Sequence, residues 1–143
     1  MREPCAPITG ERLLPRVIVT GSRDLTDPKP VRDQLDRLLA TWGAIVVIQG
    51  GCPTGADLHA RTWAADHAAS GVISKTYDAD WKRLGLAAGP ARNARMVGDG
   101  AHIVLGFLLE GAENKGTRNC LKLARAAKIR RSIREIPRET PDV

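Results

Sequence analysis

The chain has 143 residues, 43% of them apolar, 27% charged and only 3% aromatic, with a formal net charge of +6. That length holds one hydrophobic core, and the composition fits a folded α/β domain built on Val, Ile, Leu and Ala rather than a disordered or fibrous chain. No apolar run approaches the roughly 20 residues that cross a bilayer, and the N-terminal MREPCAPITGERLLPR lacks the apolar stretch of a secretion signal, so a cytoplasmic protein without membrane contact is expected.

Residues 1–15, with three prolines and alternating charge, read as a loose arm ahead of a domain spanning 16–136. RVIVTGSRD opens the domain with a β-branched run that ends at Gly21, predicting a buried strand over 16–20 that runs into a turn. After DLTDPKP, the residues Val31, Leu35, Leu38, Leu39 and Trp42 share one face of a helix over about 28–42, with Asp27 and Pro28 as start signals. Ile45 to Gln49 reads as a second buried strand, GADLHARTWAADHAA as a helix closed by Gly71, and Val72 to Tyr77 as a weaker third strand.

DADWKRLGLAAG reads as a loop, GPARNARMVGDG as a short helix with Pro90 in its first turn, and HIVLGFLL as a fourth strand. ENKGTRNCLKLARAAKI follows as a helix with Thr117, Cys120, Leu121, Ala124 and Ala127 inward and Arg118, Lys122 and Arg125 outward. RSIREI reads as a final short strand and 137–143 as a frayed tail. Strands alternating with helices of this length predict an α/β three-layer Rossmann-like domain with a mostly parallel sheet.

Cys5, Cys52 and Cys120 lie far apart, as do His59, His67 and His102, and neither a CxxC pair nor an HExxH motif joins them. No disulfide framework, metal or cofactor is expected. Residues 115–143 carry nine basic and three acidic side chains, so the whole charge excess lies there. A polyanion such as single-stranded DNA is one partner this allows, a solvated basic helix face being the plainer reading.

Ligands of such a sheet bind at the carboxyl ends of the strands, where helix N-termini point their N–H groups. Three turns fall at that edge: TGSR (20–23), GGCPTGAD (50–57) and ENKGT (113–117). Each joins a glycine, over which a ligand can approach the backbone, to a small hydroxyl from Thr20 or Ser22, Thr54, or Thr117. Glycines also simply end strands. Gly50 and Gly55 have P-loop spacing, but Ala56 and Asp57 stand where that loop needs lysine and a hydroxyl, and no turn reads GxGxxG. Asp57 is suited to accept from a ribose or base, or to cap its own helix. Arg92 and Asn93, at the start of the predicted 89–100 helix, are suited to a phosphate and a base or sugar, and Trp81 to stacking on a purine or to packing.

TGSRD, GGCPTGAD, DADW, AGPARN and KGT, in this order, resemble the YspA-like branch of the SLOG superfamily, whose Rossmann-like domains include the LOG phosphoribohydrolases and the DprA DNA-processing proteins. The resemblance covers about 16–136 and implies a pocket for a phosphorylated ribose or nucleotide lined by Gly21, Ser22, Arg23, Gly50, Gly51, Thr54, Gly55, Asp57, Arg92, Asn93, Gly116 and Thr117. It also implies a bacterial or phage setting and a homo-oligomer. Where the LOG enzymes carry acids in a PGGxGTxxE turn, this chain has Asn119 and Cys120. The expected function is therefore binding of a nucleotide-derived ligand as a sensor or sequestering module. Hydrolysis of a nucleotide N-glycosidic bond, with Asp57, Glu110 or Glu113 as the substitute acid and Asp57 the candidate to test, and DprA-like single-strand DNA binding are the alternatives.

Overall fold

The computed structural model describes residues 13–138, so most of the predicted arm (1–12) and most of the predicted tail (139–143) lie outside the described residues. Five strands, β1 (Arg16–Gly21), β2 (Val46–Gln49), β3 (Ile73–Thr76), β4 (Ile103–Leu109) and β5 (Arg130–Ile136), form one sheet in the order β3-β2-β1-β4-β5. Every pairing is parallel, with Ile18 opposite Ile48 on one side and Val104 on the other. The central strands are apolar throughout because helices cover both faces.

On one face lie α1 (Lys29–Trp42) and α2 (Gly55–Asp66). Val31 and Leu35 of α1 and Ala60, Trp63 and Ala64 of α2 meet Val17, Val19, Val47, Leu105 and Phe107 of the sheet. Trp63 is wholly enclosed, and its indole N–H donates to Asp36 Oδ1 at 2.8 Å, so its one polar group is satisfied across the two helices. The predicted start of α1 is in place, since Asp27 accepts the Lys29 N–H at 3.0 Å. α2 stops at Asp66, three residues short of the predicted span. A 3-10 turn, Ala68–Ser70, follows, closed by Gly71 in the left-handed conformation.

The other face carries α4 (Ala88–Gly98) and α5 (Lys115–Ala126), whose Met96, Val97, Cys120, Leu121 and Ala124 pack on Ile18, Ile48, Val104 and Leu108. Gly106, in the middle of β4, lets α5 settle closely: a Cβ there would stand 2.9 Å from both Leu121 methyls.

The stretch read as a loop, 78–89, is instead mostly helical. Asp80 accepts the Arg83 N–H at 3.2 Å and starts the single-turn helix α3 (Trp81–Leu84), which passes through a 3-10 turn (Gly85–Ala87) directly into α4. Leu, Lys, Arg and Ala are good helix formers, and Gly85 marks the change from the α turn to the 3-10 turn rather than an end to the helical run. The final strand is as long as β4 and pairs with it from end to end.

Candidate functional site

All five strands being parallel, the three glycine turns lie along one edge of the sheet. The strand order reverses direction between β1 and β4, which marks the crevice above that pair as the ligand position of such a sheet.

The turns after β1 and β2 are locked together. Gly55, with φ +73°, sits so near the first turn that a Cβ would stand 2.2 Å from the Ser22 carbonyl oxygen and 2.5 Å from the Arg23 Cα. The Ala56 N–H donates to that same Ser22 carbonyl at 3.2 Å, and the Thr54 hydroxyl to the Arg23 carbonyl at 2.9 Å. Gly21 is equally crowded, its absent Cβ falling 2.6 Å from that of Ala56 and 2.9 Å from that of Phe107. At both glycines the space a side chain would take is filled by protein. Ser22 is buried, and its Oγ accepts the Asp24 N–H at 3.1 Å. Arg23 is exposed beside it.

Arg92 and Asn93 join the remaining turns. The Arg92 guanidinium donates to the Gly50 carbonyl and, through Nε, to Asn93 Oδ1 at 2.9 Å. A Cβ on Gly50 would collide with that guanidinium, so the glycine exists to seat it. Asn93 is buried and turns its Nδ2 to the Gly116 carbonyl at 3.1 Å and to Asn119 Oδ1 at 3.0 Å. At the start of α5, Thr117 is buried, whereas Gly116 is exposed with nothing within 4 Å of the place its Cβ would take. No side chain caps this helix N-terminus among the described residues.

Asp57 does not cap the preceding end of its helix in the usual way. Its carboxylate accepts the backbone N–H of Cys52 at 3.1 Å and so braces the turn. Burial raises its affinity for a proton, and the Cys52 N–H, Arg92 and Arg61 oppose that shift. Cys120 is enclosed. Burial pushes its thiol up to about 11, so it is a neutral thiol near pH 7. Asn119 is committed to Asn93. Glu110 and Glu113 are exposed on the loop that leads to α5.

Trp81, 58% exposed, stands over α4, its ring reaching within 3.4 Å of where a Gly89 Cβ would be. It thus lies at the N-terminal end of the helix that carries Arg92. A separate cavity of about 420 Å3 opens at the opposite edge of the sheet, between Val97, Ala101, Leu123 and Ile129, and contains none of the predicted site residues.

Reading the sequence alone overlooks Gln49. It is fully buried at the end of β2, where its Nε2 donates to Thr76 Oγ1 and its Oε1 accepts both the Gly51 N–H at 2.6 Å and Arg61 at 3.0 Å. Gly51, at φ +81°, is held open in this way, with Asp78 against it. The available signal was a lone amide closing the apolar run IVVIQ, because a buried amide must find partners.

The turn after β1, the bracing carboxylate and the DADW segment all fall within residues 15–84, the stretch matched by the model of the YspA, cpYpsA-related SLOG family. A relative, the Gene 61 protein of Mycobacterium phage D29, is 39% identical over 117 residues, which cover 80% of this chain and 91% of the relative. The chain belongs to the YspA, cpYpsA-related SLOG family. No solved structure matches it. SLOG membership indicates, at a coarse level, binding or modification of nucleotide-related ligands, and the phage relative accords with a bacterial or phage setting. Among the described residues no helix is long and apolar enough to cross a membrane, and no group of three or more His, Cys, Asp or Glu side chains is arranged to hold a metal.

Proposed function

We propose that this SLOG protein binds a nucleotide or nucleotide-derived ligand through a phosphorylated ribose, as a sensor or sequestering module. The carrying observation is the chain of contacts from the Gly50 carbonyl through Arg92 and Asn93 to Gly116, which draws two turns and α4 into one rim beside an uncapped helix start. Arg92 supplies positive charge there, the α5 N–H groups favour an anion, and Gly116 leaves room for one to approach. Trp81 offers a ring face for a base beyond that rim.

Binding without turnover is favoured because the side chains nearest the crevice supply no poised acid. Asp57 is spent on the Cys52 N–H, Cys120 is a buried neutral thiol and Asn119 pairs with Asn93. Hydrolysis of an N-glycosidic bond is the second reading. One observation favours it: burial raises the proton affinity of the Asp57 carboxyl despite the nearby Arg92, as a general acid requires. The test incubates wild type and Asp57→Asn with nucleoside monophosphates and ADP-ribose derivatives, measuring affinity by calorimetry and free base by chromatography. Tight binding with no base released is expected. Base released by wild type but not by Asp57→Asn, at equal affinity, selects the hydrolase, and no binding by any member refutes both readings.

A further inference from the structure

We propose that β5 is a dimerisation edge, pairing antiparallel with β5 of a second copy about a two-fold axis at Ile133 to make one continuous sheet. β5 ends the sheet, and among the described residues no segment pairs with its outer side. It is seven residues long, and such an edge presents a row of N–H and C=O groups to any strand of matching pattern.

The backbone decides which groups are offered. The Ile136 carbonyl accepts the Glu110 N–H at 2.9 Å and so faces the β4 side. By strand alternation Arg134, Ser132 and Arg130 also turn their backbone groups inward, while Arg131, Ile133 and Glu135 turn theirs out. An axis at Ile133 sets Ile133 opposite its own copy and Arg131 opposite Glu135 on each side of the axis. Every outward residue then joins a doubly hydrogen-bonded antiparallel pair.

Side-chain chemistry selects the same register. Arg131, Ile133 and Glu135 lie on the α5 side of the sheet, aligned with Val104, Gly106 and Leu108 of β4. Ile133, 43% exposed, would bury its side chain against its copy, and each Arg131 would face a carboxylate. Moving the axis one residue forward puts Arg134 opposite Arg134, and one residue back puts Arg130 opposite Arg134, so both neighbouring registers set like charges together. The helices do not obstruct the pairing. α5 rests on β4 at Gly106, so its two copies would stand about three strand spacings, ~14 Å, apart, beyond the 8–10 Å of packed helices.

The occupant is a second copy because the strand's own charges complement each other only under two-fold symmetry about Ile133. The test is sedimentation across a concentration series with wild type, R131E and E135R. A wild-type dimer is expected, with each reversal lowering the association constant at least about tenfold. R131E subunits present only acids at the paired positions and E135R subunits only bases, so mixing the two variants should form a heterodimer as stable as wild type. Arg131 also donates to the Leu121 carbonyl at 3.3 Å, so melting curves accompany each variant, and the exposed Glu135 carries the test if R131E folds poorly. A wild type that stays monomeric overturns the proposal and leaves the edge to a strand of another protein. A dimer that E135R does not weaken, or well-folded variants that fail to pair on mixing, overturns it as well.

Discussion

In the turn after β2 the Cys52 N–H donates to Asp57, that of Gly51 donates to Gln49, and the Gly50 carbonyl holds Arg92. In the turn after β4 the internal bonds fall earlier. Asn114, at φ 46°, ties its side chain back to Leu109 and Ala112, and Gly116 beyond it is exposed. Both turns join glycine to a small hydroxyl. The first is therefore scaffold whose polar groups are spent largely on one another, and the second keeps an open glycine, the feature proposed above to admit a ligand. Composition alone does not separate these roles; the neighbours of each glycine do.

The sharpest way to break the comparison is to enlarge the scaffold glycine. Gly55→Val puts a branched side chain where the Ser22 carbonyl oxygen lies 2.2 Å from the Cβ position, at a φ of +73°. A loss of about 3 kcal/mol or more is expected from strain and overpacking combined, read as an earlier urea midpoint. Nucleotide affinity should fall only as far as folding does. Arg92→Ala comes next. It removes the guanidinium that spans Gly50 and Asn93, and should weaken binding by roughly 1.5–3 kcal/mol in calorimetry on folded protein.

Gly116→Ala sharpens the contrast from the other side. With open space around it and a place in the first turn of α5, alanine should raise stability by about 0.4–1 kcal/mol while its methyl group reduces ligand affinity. Melting curves and calorimetry on one sample separate the two effects. The smallest effect is electrostatic. Burial holds the Asp57 carboxyl above its ordinary 3.8, so the folded chain binds that proton more tightly than the unfolded chain. Stability from this group is then full below 3.8 and is lost as pH rises from there through the folded value. Asp57→Asn should remove that slope, seen as the difference between wild-type and variant urea midpoints from pH 4 to neutrality.

The layer order was legible because apolar runs and helical spacing are local signals, and IVVIQ, HIVLGFLL and the α1 stripe carry them strongly. The glycine turns were legible as punctuation, and the ordered motifs were legible as those of the SLOG family. What each glycine accommodates was not. Whether Gly21 faces solvent or the Ala56 side chain depends on where α2 comes to rest, which no neighbouring residue encodes. Likewise the bond from Arg92 to Gly50 spans 42 positions. The helix at Trp81–Leu84 was not legible for a simpler reason: a single turn is too short to set up a helical repeat of apolar positions.

The rim is stitched from segments far apart in sequence: Arg92 to Gly50, Asn93 to Gly116 across 23 positions, and Thr54 to Arg23 across 31. None of these groups meets another until the sheet has closed, so the unfolded chain has no partial pocket to offer. A ligand of this edge therefore binds the native state alone, and its affinity converts fully into thermal protection, about 2.7 kcal/mol when present at a hundred times its dissociation constant. Heating the protein with a library of nucleotides and ranking the upward shifts in melting temperature thus reads out relative affinity directly, with no assumption about the base, the phosphate count or any reaction.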